Sequence, residues 1–285
     1  MLAAVGPYAL EHSLVDAAPD GADSALVRIH NTNTGKIIHA TFPVAGPRAA
    51  DLSGEFGIDG VAGTHARITL DFVSPEGSRT GKLFPTGERA EELQLPNGSV
   101  RTTLMDCGNP CVFVRAEDLG VDPYALPAEL EAHDGGKTLA RLNDIRNAAA
   151  VRMGLVDSLD AAAKAKSVPK VCVMSPKADH KVLSGATLRA DDTDVVTRCI
   201  SSGDPHRALP ITASLCAAAA AQIEGTVVHD CLSGPRVSQG VIIGHASGTI
   251  EVDADVAVGD NGKLRVPKAR VFRTARKLFE GNVFF

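Results

Sequence analysis

The stretch that most constrains this chain is Ile211-Thr-Ala-Ser-Leu-Cys-Ala-Ala-Ala-Ala-Ala221, preceded by the turn-rich Ser201–Pro210 and followed by Gln222-Ile-Glu-Gly225. From Leu215 to Ala221 there is no polar stripe, so a helix here is buried on all sides. Thr212 stands where an N-cap belongs, and Gly225 where a C′ glycine ends a helix. A buried helix leaves its first amides unpaired, here those of Ala213, Ser214 and Leu215. Together with the positive end of the helix dipole they suit a carboxylate or phosphate. The loop before the helix brings His206 and Arg207 near that end. Alanine-rich core helices with ordinary caps have the same pattern, so the helix alone leaves a ligand site and a plain core element both open.

A length of 285 residues points to about two domains at roughly 100–200 residues each. Aromatic residues make up only 4% of the chain and Trp is absent, so the core is built from Val, Ile, Leu and Ala. The net charge of −5 gives no footprint for nucleic acid or an anionic membrane. The longest apolar run is too short and too Ala-rich to span a bilayer. The opening residues lack the basic and apolar regions of a secretory signal, which reads as a cytoplasmic protein. The six cysteines fall at unrelated spacings without a Cys-x-x-Cys pair. They read as reduced, buried thiols rather than a disulfide framework or a metal site.

In chain order, Met1–Leu10 is apolar and helical in character, with Pro7 suited only to a first turn or a kink. Its likeness to the helix at 212–224 suggests a weak internal repeat. Leu26–His30 and Lys36–Phe42 form a hairpin around Asn31–Gly35. The glycines of Gly54–Gly63 do not make a dinucleotide fingerprint, since no strand precedes and no helix follows them. Arg67–Val73 is a further strand, and Thr80–Gly87 is a glycine-bounded turn region carrying Lys82. Strands at Val100–Met105 and Cys111–Val114 flank Gly108-Asn109-Pro110, an interruption that exposes Asn109 and nearby amides. Two helices occupy 123–155, the second over Leu139–Met153, and an Ala/Lys-rich connector fills 157–167. Strands follow at Pro169–Ser175 and Asp194–Ile200, and a hairpin spans Val241–Asp253 around Gly244-His-Ala-Ser-Gly248. Ser247 lacks the strand-to-helix elbow of a hydrolase nucleophile. Its turn either presents successive amides to an anion or simply reverses the chain. The basic residues from Lys263 to Lys277 read as a solvated strand face and helix end, with arginines suited to carboxylates.

Several of these stretches together resemble a family: Met1–Pro7, Arg28–Gly35, Thr80–Gly87, Asp106-Cys-Gly-Asn-Pro110, His206–Cys216, Gly244–Gly248 and Arg273–Gly281. The chain is similar to the group that contains 2-methylaconitate cis–trans isomerase, 4-oxalomesaconate tautomerase and 3-methylitaconate isomerase, with a diaminopimelate-epimerase-like fold. The resemblance implies an α/β protein of α+β type with two pseudo-repeated domains. Each is a curved, mainly antiparallel sheet around a central helix, spanning 1–98 and 99–272, with a tail at 273–285 returning to the first. It implies cofactor-independent proton transfer that moves a C=C bond in a small unsaturated di- or tricarboxylate, with no metal and with room for a homodimer. The substrate contacts it implies are Asn109, Thr212, Ala213, Ser214, Lys82, His245, Ser247, Gly248 and Arg273, and His206 is the acid–base candidate. The family's Cys and Lys motifs precede its first central helix and do not occur in these 285 residues. Met1 falls just after the expected Cys motif, so an N-terminally shortened chain with a partly exposed first helix is expected. Gly63-Thr-His-Ala-Arg67 also departs from the family's Gly-Thr-Gly-Ala-Pro. The rival expectation is an inactive relative that binds a polycarboxylate or a partner. A two-cysteine epimerase is disfavoured, because Cys216 lies a full turn inside its helix.

Overall fold

The structure is a computed structural model that describes residues 2–234, 237–238, 240–260, 262–279 and 281. The chain divides into two compact units, Met1–Val73 with Arg270–Phe285, and Ser74–Ala269. The stretch from 74 to 98 therefore groups with the second unit.

In the first unit, helix α1 (Leu2–Glu11) packs on an antiparallel sheet of β1 (Ser24–Asn31), β2 (Lys36–Gly46) and β3 (Ile68–Val73). The strands alternate as one-sided strands do: Ile38, Ala40 and Phe42 of β2, with Ile68, Leu70 and Phe72 of β3, are buried. Gly6 explains how close α1 lies, because a Cβ there would sit 2.7 Å from the Phe42 ring. A residue that costs helix propensity is kept for that approach. The helix runs through Pro7, which lies inside it rather than at its start, so it forgoes the hydrogen bond that residue 7 would give to Ala3. Arg67 departs from the family pattern, and its guanidinium lies 3.5 Å from the centre of the Phe272 ring and 5.2 Å from that of Phe56. That cation–π stack occupies what a proline would leave open.

The second unit holds β4 (Glu91–Leu95), β5 (Gly98–Asp106), β6 (Pro110–Arg115), β7 (Lys170–Pro176), β8 (Val195–Ser201), β9 (Val241–His245) and β10 (Gly248–Val258). They lie in the order β10-β9-β8-β7-β6-β5-β4. The β6/β7 and β8/β9 pairs are parallel and the others antiparallel. Helix α2 (Lys137–Arg152) buries Leu142, Ile145 and Ala149 in one core with Val112, Val114, Val171, Val173 and Ile200. Helix α3 (Ile211–Ala221) packs on β5, β6, β9 and β10. With both faces covered, β6 and β8 are buried almost end to end. The β6 sequence accordingly reads as an apolar run up to Arg115, whereas β8 also buries Thr197 and Arg198, the arginine donating to the Tyr124 and Ala125 carbonyls.

Several boundaries differ from the sequence reading. Helix α3 begins at Ile211, and its N-cap is Pro210, not Thr212. Proline's fixed φ, here −58°, leads directly into the helix, and Thr212 falls in the first turn. The helix ends at Ala221, and tighter bonds from Gln222 to Ala219 and from Ile223 to Ala220 carry the chain to Gly225, at φ +86°. Helix α2 starts two residues early because the Asp134 carboxylate accepts from the Thr138 amide and hydroxyl. The supposed connector contains a short helix, Leu159–Lys164, capped by the Ser158 hydroxyl. Glu91–Leu95 escaped notice as a strand, and the basic segment near the end is a strand, Leu264–Arg273, without a helix after it among the described residues. No helix among the described residues is long and apolar enough to cross a membrane.

Candidate active site

The end of the second unit's sheet at which α3 begins gathers most of the polar residues of interest. The direction of α3 follows from its contacts. The Cys216 thiol donates to the Met105 carbonyl at 3.6 Å, whereas a Cβ on Gly108 would lie 3.7 Å from the Thr212 carbonyl oxygen. The first turn of α3 therefore rests on the Gly108-Asn109-Pro110 turn. Gly108, at φ +74°, supplies the left-handed backbone that brings Asn109, half-buried, to this end. The Ser214 amide bonds back to Pro210 and its hydroxyl to the Ile211 carbonyl. The unpaired amides are thus those of Ile211, Thr212 and Ala213, two residues earlier than expected. Ala213 and Ser214 are fully buried, and Thr212 is half-buried.

The turn is held by a residue that the sequence reading did not single out. The buried Asp106 carboxylate accepts from the Ser78 hydroxyl (2.6 Å), the Arg79 and Thr80 amides (2.8 Å each) and the Thr80 hydroxyl (2.9 Å). The Asp106 amide donates to Leu83, and the Gly108 amide to Pro75. Asp106 thereby fixes the 75–83 loop, with Lys82 exposed on it, against the Asn109 turn. A buried carboxylate at the end of an apolar strand was the available signal.

Lys170 is the second residue missed. It begins β7, opposite Cys111 of β6. Its Nζ donates to the Ser201 hydroxyl at 2.6 Å. Lys170 shares a strand face with Cys172 by the two-residue period, and the free thiol of Cys172 is in hydrogen-bond contact with those of Cys111 and Cys199, as Cys111 is with Cys216 of α3. The Lys170 side chain therefore lies on the α3 face, at the end where α3 begins. A single lysine in step with Cys172 and Met174 on an otherwise apolar strand was its trace in the sequence.

His206 lies in the loop between Ser201 and α3, where its amide donates to the Cys199 carbonyl. Though its residue surface is exposed, partial burial of the imidazole lowers its pKa below the ordinary 6.5, and Lys170 lowers it further. Asp204 opposes both. The imidazole is therefore neutral at neutral pH, as a base must be. Ser247 is also brought to this loop, but both its donors are committed. Its hydroxyl bonds the Arg207 carbonyl at 2.6 Å and its amide bonds His245 Nδ1 at 3.1 Å. The Ala246-Ser247 turn, closed by the His245–Gly248 pair, thus braces the loop rather than offering an amide nest to an anion. Cys216 is fully buried, which raises its thiol pKa and keeps it protonated. Arg273 belongs to the first unit, where it bonds the Phe272 carbonyl and burial lowers its pKa. No metal-binding cluster occurs among the described residues.

The family of the chain is decided by its whole length, since residues 1–285 match the family described as PrpF protein. The chain belongs to the PrpF family. It is 35% identical to the 2-methyl-aconitate isomerase of Shewanella oneidensis over 99% of this chain and 71% of that protein. It is likewise 35% identical to the 3-methylitaconate isomerase of Eubacterium barkeri over 99% of this chain and 72% of that protein. A crystal structure of methylitaconate-delta-isomerase superposes with a TM-score of 0.86 at 34% identity, over 98% of this chain and 70% of that one. The PrpF fold, a mixed α/β architecture with a large mixed sheet, is therefore the fold of this chain.

Proposed function

We propose that this PrpF-family chain is an isomerase that moves a proton and a C=C bond within a small unsaturated di- or tricarboxylate, without a cofactor. The observation that carries the reading is the meeting of three features at one end of the second unit's sheet: the unpaired first amides of α3, the Asn109 turn and the neutral His206 imidazole. Substrates of the 2-methylaconitate and 3-methylitaconate types are the first choice, because family members are named for isomerising them. The six cysteines are free and buried, which supports a cytoplasmic setting.

In this reading one substrate carboxylate sits on the Thr212 and Ala213 amides, with Asn109 and Lys82 at its margin. His206 takes a proton from the carbon next to the double bond. The electron pair left behind spreads through the conjugated system onto the carboxylate, as a dienolate stabilised by amides already oriented towards it. Return of the proton to the far carbon completes the shift, with no change in oxidation state.

His206→Gln tests the role of the imidazole. A general base contributes about 10²–10⁴-fold, so kcat should fall by that order with the fold unchanged. In the unchanged protein, kcat/KM should fall as pH drops through a pKa below the ordinary histidine value of 6.5. A fully active His206→Gln protein would remove His206 from the mechanism.

A further inference from the structure

We infer that Lys170, held by Ser201, is the group that binds the substrate's second carboxylate and so selects dicarboxylates over monocarboxylates at this site. The inference deepens the isomerase reading and takes its substrate class from it.

The geometry begins with register. Lys170 starts β7 where Pro110 starts β6, and Ser201 closes the antiparallel β8 at the same end. Lys170 therefore lies beyond Cys172 and Cys199 and level with Cys111 on the α3 face, at the end where α3 begins. The loop leaving Ser201 carries His206 back over this corner, and its amide is pinned to Cys199. A part-buried ammonium normally finds a carboxylate. Lys170 has none within ion-pair distance among the described residues, and its polar partner is the neutral Ser201 hydroxyl. Its charge adds to the positive end of the α3 dipole rather than being offset. The charged groups acting on His206 are Lys170 and Asp204, and Arg207 follows it in the chain. Two positive features at the same end of the sheet suit the two carboxylates of one short ligand. The arrangement divides the labour: the α3 amides take one carboxylate and Lys170 takes the other, while His206 stands beside both. Ser201 acts as a positioning residue, keeping the flexible lysine stem aimed at the corner.

The test uses calorimetric titration of the full chain with two unreactive probes, methylsuccinate and butyrate, so that the result is independent of turnover. The unchanged protein should bind the dicarboxylate more tightly than the monocarboxylate. Lys170→Met should weaken methylsuccinate binding by roughly 10–100-fold, the scale of one charge-assisted hydrogen bond, while butyrate binding stays the same. Lys170→Arg should restore most of the preference, and Ser201→Ala should fall between. A second readout separates a charge at the corner from a structural role. NMR titration of the His206 imidazole should show a higher pKa in a folded Lys170→Met protein, since a neighbouring positive charge is gone. An unchanged dicarboxylate preference in that variant, or no methylsuccinate binding by the unchanged protein, would overturn the inference. Absence of proton transposition in the unchanged protein, with its Lys170-dependent dicarboxylate binding observed, would instead count against the isomerase reading and leave the assignment of Lys170 standing.

Discussion

At the scale of single residues, the site depends on side chains that differ in how visible they are in sequence. Asn109 announces itself, because Gly108 and Pro110 cannot continue a central strand. Asp106 and Lys170 do not, since each reads as the polar edge of an apolar strand until the loops and registers that surround it are known. Ser247 shows the converse: its glycine-flanked turn suggests an anion nest, yet the His245 ring and the Arg207 carbonyl occupy its donors. Asp106 yields a stability prediction. Replacing it with Ala leaves the Arg79 and Thr80 amides, part-buried where they meet it, without their acceptor, at about 1–3 kcal/mol for each group left unsatisfied. A total near 3 kcal/mol should lower Tm by roughly 6–12 °C for a protein of this size. Calorimetry of Asp106→Ala checks this, and a Tm within a degree of the parent would mean the loop is held by other contacts.

At the scale of the element, α3 was legible as a buried helix because no polar stripe interrupts Leu215–Ala221, and the structure buries all of those residues. It starts two residues before the place that the sequence suggests, since Thr212 is the better cap by side chain while Pro210 provides the required backbone. The shift changes which substitution is informative. Ser214→Asp would place a carboxylate in a fully buried position whose hydroxyl now bonds Ile211, so it should damage the fold. Thr212→Asp lies in the half-buried first turn, where a negative charge favours the helix by about 0.3–1 kcal/mol. The account therefore predicts opposite effects on stability and binding. Thr212→Asp should leave Tm equal or slightly higher, yet weaken dicarboxylate binding at least tenfold, about 1.4 kcal/mol. Thermal melts and titration of the same preparation decide it; unchanged binding at an equal or higher Tm would show that the first turn does not meet the ligand.

At the scale of the whole molecule, the sequence distinguishes two kinds of sheet. The strands of the first unit alternate, with one face against α1, whereas β6 and β8 of the second are buried on both faces, and β6 is apolar on both. Periodicity carries that difference directly. The order of strands and the two parallel pairs rest instead on contacts between segments far apart in the chain, which local pattern does not encode; these registers set Lys170 beside Ser201 and the Asn109 turn. The most direct measurement of the central claim is proton exchange. The full 285-residue chain is incubated in heavy water with 3-methylitaconate or 2-methylaconitate and followed by proton NMR. The account predicts deuterium entering the carbon positions between which the double bond moves, at a rate reduced by about 10²–10⁴-fold in His206→Gln. Saturable binding of these acids without any deuterium uptake would contradict it, and would make the chain a polycarboxylate-binding protein rather than an isomerase.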